Sequence, residues 1–408
     1  MLSQSLRNSV LFLLILSVAG FANGYSRSVK AQENAQQQEV KVISNPKEPV
    51  PPPGQRKRLV FKEELTIGQV EGDDHYMFGE AVAFNTDEKG NFYVTDWRRR
   101  RILKYDPAGQ YQLTIGREGQ GPGEFQNLSP ARFDKDGHIY ITDLVSRRIS
   151  FFDDSGNYLR QIAIPDVFED LHISGRGHFI STHTIPLEGE SSRRFKLVYG
   201  MFDDKFNVVT EFLAQEKGFK LPAGRDAQSA AKFLAGILSD IAYQARPSYR
   251  LGKEDSIFFG YPEKYAIDVF SSEGRKVRTI QRDYEPSRVT EKDKDKFVGQ
   301  VAADYLRRYS SEQERKEIVK YIEYPKYKPA YHSFALMENG WLVVAVEIVP
   351  DGDNLFDLFD EDGRYIGQFQ ADFPADTWFF FKNGKAYAVA EKDGYKFVKR
   401  YAFEIQDY

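Results

Sequence analysis

Apolar and polar positions alternate with a period of two through most of the chain, in short runs punctuated by Gly, Asp, Asn and Pro, which predicts strands joined by tight turns. Two stretches superimpose without a gap. NFYVTDWRRRRILKYDPAGQYQLTIG (Asn91 to Gly116) lies over HIYITDLVSRRISFFDDSGNYLRQIA (His138 to Ala163) at an offset of 47 residues, taking Asp96 onto Asp143, Arg101 onto Arg148, Tyr105 onto Phe152 and Gly109 onto Gly156. The second copy holds four alternating segments, here called a to d from the inside outward: Ala131 to Asp134, His138 to Thr142, Arg148 to Asp153 and Tyr158 to Ile164. Asp136-Gly137 separates a from b, and Asp154-Ser155-Gly156 separates c from d. A repeat of this length built only of strands and turns predicts the blades of a β-propeller.

Later segments keep this order while losing the motif. The third repeat reads as His178 to Ser181, Leu197 to Asp203 and Phe206 to Phe212, and the fourth as Ser256 to Gly260, Tyr265 to Ser271 and Lys276 to Gln281. The fifth has Trp341 to Val346, Phe356 to Asp360 and Tyr365 to Phe369; the sixth has Trp378 to Phe381, Lys385 to Val389 and Lys396 to Glu404, and lacks an outer strand. Leu59 to Gly68 (LVFKEELTIG) ends like the first d strand (QLTIG) and supplies it. The expected fold is therefore an all-β, six-bladed β-propeller over residues 58–408, closed by an N-terminal strand that completes the last blade. A large β-sandwich or barrel is the competing architecture, and it leaves the aligned repeat and the complementary terminal strand unexplained.

Two links between blades switch to helical spacing. Residues 226–243 place Ala230, Phe233, Leu234, Ile237, Leu238 and Ile241 on one helical stripe, and residues 290–321 read as a helical hairpin whose second helix opens with the capping box Ser311-x-x-Glu314. The third blade also enlarges its b-to-c loop, His183 to Arg194. In an up-and-down blade the b-to-c loops and the links between blades emerge on the same side, so all three additions are expected around one mouth of the central channel. There they either form a lid over a pocket or merely pack on the ring.

GREGQGPGEF (Gly116 to Phe125), the Tyr-(Ile/Val)-Thr-Asp segments and the following Arg-Ile-x-x-(Phe/Tyr)-Asp resemble the NHL-repeat six-bladed propellers over Gly90 to Ile164. That family includes ligand-binding scaffolds, sensor domains, RNA binders and a copper- and zinc-dependent lyase, so the resemblance implies a fold and leaves the activity open.

Met1 to Gly24 carries a basic start (Arg7), an apolar run from Val10 to Ala22 and small residues at Ala22 and Gly24, the pattern of a secretory signal; Val29-Lys30-Ala31 is a second candidate for the cleavage point, and a retained anchor is the alternative. Residues 25–57, rich in Gln, Glu and Pro, read as a disordered spacer. The chain has no cysteine, so an exported form has neither disulfides nor thiol chemistry. The expected location is periplasmic or extracellular, with no integral membrane domain after cleavage. A net charge of −4 gives no bulk electrostatic case for nucleic acid.

Two constellations carry candidate chemistry. Arg98, Arg99, Arg100 and Arg147 in neighbouring b-to-c loops, with Arg117 in the intervening link, can fork onto carboxylate, sulfate or phosphate; Arg101 and Arg148, at the fixed repeat position, are expected to brace the turn with Asp96 and Asp143. Glu80, Asp170, His172, His332 and Asp376, with His75 nearby, fall near the starts of innermost strands, where propeller lactonases and the amidating lyase hold a divalent metal. Glu80 in Phe78-Gly79-Glu80 resembles a lactonase ligand, although the later Asn and Asp motifs of lactonases and the cysteines of the lyase are missing. Asp351-Gly352-Asp353-Asn354 reads as a plain turn. The leading expectation is a non-catalytic propeller that recognises a protein, peptide or anionic glycan on the face carrying the insertions. The alternative is a metal-dependent lactonase- or lyase-like enzyme at the channel mouth.

Overall fold

A computed structural model describes residues 39–78, 82–187, 192–220, 226–299, 306, 311–349, 352–375, 378–392 and 394–408. The protein is an all-β, six-bladed propeller. Blade 1 comprises Val82–Thr86, Phe92–Asp96, Arg101–Tyr105 and Tyr111–Ile115, and blade 2 comprises Arg132–Phe133, Ile139–Asp143, Arg148–Phe152 and Tyr158–Ala163. Blade 3 (Val167–Ile173, Phe179–Leu187, Ser192–Phe202, Val208–Lys220) differs from expectation: most of the long b-to-c loop is instead a continuation of both strands, paired as far as Leu187 and Arg194. The alternation Thr182-His183-Thr184-Ile185 already fits a strand, and pairing satisfies its backbone.

Buried apolar side chains sort by interface. Tyr93, Ile102 and Ile115 of blade 1 pack on Ile139 and Ile141 of blade 2, and Tyr140 and Phe151 of blade 2 pack on Phe168 and Phe179 of blade 3. The same arrangement recurs around the ring to Tyr387 and Val398 of blade 6 against Phe84 and Phe92 of blade 1. Each blade therefore contributes both of its faces to the core, which explains the near-continuous burial of inner strands such as Phe92–Asp96. Gly116 marks one close approach. Its φ of +74° is in the left-handed region, and a Cβ there would lie 2.1 Å from the ring of the fully buried Phe125.

The strand Lys57–Ile67 lies antiparallel to Tyr395–Asp407 as the outermost strand of blade 6, with Leu59 opposite Ile405 and Ile67 opposite Val398. The chain before it departs from the expected spacer. Lys41–Asn45 adds a fifth strand to blade 4, parallel to Lys276–Arg282. Between these strands the backbone crosses the outer edge of blade 5, where Val50 N–H donates to the Tyr365 carbonyl at 2.8 Å. Residues 41–67 thus form a strap over blades 4, 5 and 6. The Pro-rich composition that argues against an independent core is compatible with this path, because a strap borrows its order from edges already in place.

Helix α1 (Ala227–Ser239) links blades 3 and 4; α2 (Glu291–Phe297) and α3 (Glu312–Val319) lie between blades 4 and 5. Asp226, Thr290 and Ser311 cap the three N-termini, the last two through reciprocal capping boxes. Leu234 and Leu238 of α1 share one apolar cluster with Phe297, Leu306 and Ile318. The two insertions, separate in sequence, therefore build one helical cap with its own small core. No helix among the described residues is long and apolar enough to cross a membrane.

Candidate functional site in the channel

The innermost strands of blades 2 (Arg132–Phe133), 3 (Val167–Ile173) and 4 (Ser248–Leu251) bring a polar group together inside the ring. Blade 3 supplies Asp170 and His172 at a register shift between Glu169 and His172, where Asp170 adopts φ +51°. A left-handed conformation at a non-glycine residue costs about 1–2 kcal/mol, and the bulge re-aims a side chain that a regular strand would point elsewhere. The Asp170 carboxylate pairs with Arg132 of blade 2, and its Oδ1 lies 3.5 Å from Nε2 of His172. The Tyr249 hydroxyl of blade 4 donates to the Asp170 carbonyl, and the Tyr249 ring meets the His172 ring edge-on at 5.3 Å. Arg250 donates from Nη1 to the Tyr249 carbonyl at 2.8 Å, and its guanidinium lies 5.6 Å from the centre of the Phe334 ring of blade 5.

The electrostatics follow from burial and these neighbours. Burial by itself would raise the Asp170 pKa, but Arg132, His172 and Arg250 hold it well below the usual carboxylate range. Burial, reinforced by Arg132, pushes His172 down to about 4 and keeps it neutral near pH 7. Burial and the neighbouring Asp170 raise the Glu169 carboxyl. Asp170 nonetheless keeps 49% of its side chain accessible to solvent, which places it on a wet internal channel and not in the dry core.

The expected metal group assembles only in part. Asp170 and His172 adjoin, whereas His332, at the start of the innermost strand of blade 5, forms no three-ligand group with them; Glu80 and Asp376 lie outside the described residues. Asp351 lies outside them as well. His75 sits elsewhere, bonded to Asp73 at 2.8 Å and stacked on Tyr111. Among the described residues, Asp134, Asp136 and His138 do converge within 4.8 Å. Asp134 accepts from the backbone N–H of Asp136 and His138 at 3.0 and 2.9 Å, as Asp153 does from Ser155 and Asn157 and Asp360 from Asp362 and Arg364. The convergence at blade 2 is therefore a recurrent hairpin-turn device.

The arginine loops are largely spoken for. Arg99 bonds Asp74 and Asp96 at 2.5 and 3.3 Å, Arg100 pairs with Glu118, and Arg117 pairs with Glu124 at 2.8 Å. Arg147 adopts φ +47°. Arg98 is exposed, with no ion-pair or hydrogen-bond partner among the described residues. Arg101 braces Asp96 at 3.2 Å as expected. Arg148 differs: it donates to the carbonyls of Gln120, Gly121 and Glu124 at 2.7 to 2.9 Å, while Asp143 accepts from Gln126, Asn127, Val145 and Ser146. In blade 2, Arg148 and Asp143 thus each hold backbone of the Gly-rich link and form no ion pair with each other among the described residues.

Arg132, Glu169, Tyr249 and Arg250 escape motif-based reading. The available signal is charge inside an innermost strand: Arg132 directly follows Ala131, and Glu169-Asp170 interrupts an otherwise apolar run.

A family model described as a 6-bladed beta-propeller, DUF5128, matches residues 80–334. The chain belongs to this DUF5128 family of six-bladed propellers. No curated protein matches the chain in sequence. Among solved structures, a Bacteroides fragilis protein inferred to be exported is similar at 12% identity, covering 90% of this chain and 100% of its own, with a TM-score of 0.51. A DUF4221 protein of Bacteroides vulgatus (12%, covering 87% and 100%, TM-score 0.47) and virginiamycin B lyase of Staphylococcus aureus (9%, covering 84% and 99%, TM-score 0.40) are more distant. At these identities the likeness concerns the fold alone.

Proposed function

We propose that this DUF5128 propeller is an exported, non-catalytic recognition protein that binds its ligand at the channel mouth under the helical cap. The observation that carries the reading is the shared apolar cluster of α1, α2 and α3: two separate links invest in one cap, on the side to which the blade links and the long blade 3 hairpin also emerge. Ligand sites of propellers and other β scaffolds sit where loops crowd one opening of a rigid frame. Export is supported by the N-terminal basic and apolar pattern.

The test is a thermal-shift screen of peptides, glycans and small acids on the mature chain and on a cap-disrupted Leu234→Asn variant. A ligand that raises the melting temperature of the parent and not of the variant supports the reading. Equal shifts in both proteins would move the site away from the cap, and metal analysis of the purified protein would reveal a stoichiometric ion if the protein is a metalloenzyme instead.

A further inference from the structure

We propose that Arg132 and Arg250 form an oxyanion subsite inside the channel, receiving the carboxylate or phosphate group of a small organic ligand; this rests on the channel-mouth reading above and adds the ligand's chemical class. Donors outnumber committed partners here. Each guanidinium carries five N–H groups. Arg132 commits Nη2 to Asp170, while its Nε is buried without an acceptor and its side chain is only 9% exposed. Arg250 commits Nη1 to the Tyr249 carbonyl and makes no ion pair among the described residues. Of the neighbouring acceptors, the Asp170 carboxylate is engaged by Arg132 and His172, and the Asp170 carbonyl by Tyr249.

Arg132 Nε is sealed from the channel, as are the Nε atoms of Arg148 and Arg282 in their own surroundings, so the donors a ligand can meet are the uncommitted terminal N–H groups of Arg250 and of Arg132. A group presenting two or three acceptor oxygens and negative charge satisfies them, and the planar guanidinium fork matches it. The placement fits the same role. Arg132, Asp170 and Arg250 come from the innermost strands of three consecutive blades, and Arg250 is held against Phe334 of a fourth, so its position does not depend on a carboxylate partner. Asp170 fixes Arg132 through Nη2.

Arg250→Gln is the decisive variant, because Arg250 ties no two blades together by an ion pair. Citrate, glucuronate and inorganic phosphate, with glucose as the neutral probe, are titrated calorimetrically into the mature chain, the variant and Arg250→Lys. The expected result is saturable binding of at least one anion, weakened at least tenfold in Arg250→Gln and partly kept in Arg250→Lys, with the ligand-free variant melting no lower than the parent. A lower melting temperature of Arg250→Gln with anion binding unchanged would make Arg250 a structural residue and overturn the inference. Absence of anion binding by the parent would overturn it too. Glucose bound equally by parent and variant, with the anions failing, would overturn the oxyanion assignment while leaving a channel-mouth binding protein standing.

Discussion

Asn45 joins the strap to blade 5 by acting as a piece of backbone: its Oδ1 accepts from Tyr365 N–H at 2.7 Å, and its Nδ2 donates to the Gly363 carbonyl at 2.9 Å. Both bonds are buried, and the side chain is 3% exposed. Asn45→Ala leaves two buried backbone groups without partners and is expected to lower stability by about 2–4 kcal/mol, measured by urea unfolding. Asn45→Asp should be at least as harmful, since a carboxylate cannot donate to Gly363. A loss below about 0.5 kcal/mol in both would mean that the strap does not contribute to the cooperative unit.

Gly367 marks where the strap presses closest. A Cβ on it would fall 1.8 Å from the Lys57 carbonyl oxygen. Gly367→Ala should therefore force the strap off the blade 5 edge and cost about 1–3 kcal/mol or more. Hydrogen exchange should show faster exchange in residues 46–60 before blades 1 to 3 are affected.

Arg282 and Asp357 form an ion pair at 2.9 Å between blades 4 and 5, 9% and 0% exposed, with the guanidinium between the rings of Tyr265 and Tyr365. The Tyr265 and Tyr365 hydroxyls and Gln368 Nε2 also donate to Asp357. Asp357→Asn retains the shape but strands a buried cation, with an expected loss of about 3–5 kcal/mol. Arg282→Met together with Asp357→Leu should recover much of that loss, and a double-mutant cycle by chemical denaturation measures the coupling.

Acid should loosen the cap below about pH 4. Burial alone would raise the Asp293 pKa, but Lys328 at 2.6 Å and the Thr290 cap hold it at about 2. Because the folded value lies below the unfolded one, this stabilisation is complete above about pH 4 and is lost as the pH falls toward 2. It amounts to about 2 kcal/mol. Asp293→Asn should loosen α2 at neutral pH and flatten the response of its amide exchange between pH 4 and 2.

The architecture was legible because propeller physics repeats itself. The match of Asp96 with Asp143 marks two turns of one design, and the resemblance of Leu59 to Gly68 to a d strand reflects the same outer-edge role. Lys41–Asn45 was not legible, since a five-residue strand flanked by Gln and Pro has no partner within reach in sequence; its partner begins at Lys276. The site was half legible for a related reason. Asp170 and His172 stand out as chemical types, but Arg132 and Arg250 gain meaning only when blades 2 and 4 are set on either side of blade 3, a proximity that no local pattern encodes.

The strap also sets a timetable for biosynthesis. The strap's second half finds its partner late: Lys57–Ile67 needs Tyr395–Asp407, and the Tyr408 N–H donates to the Arg56 carbonyl at 3.0 Å. A chain still emerging from the ribosome can stack its early blades, but Lys57–Ile67 waits without a mate until Tyr395–Asp407 has been made. Any truncation within blade 6 leaves that segment as an open invitation to pair with a neighbouring molecule.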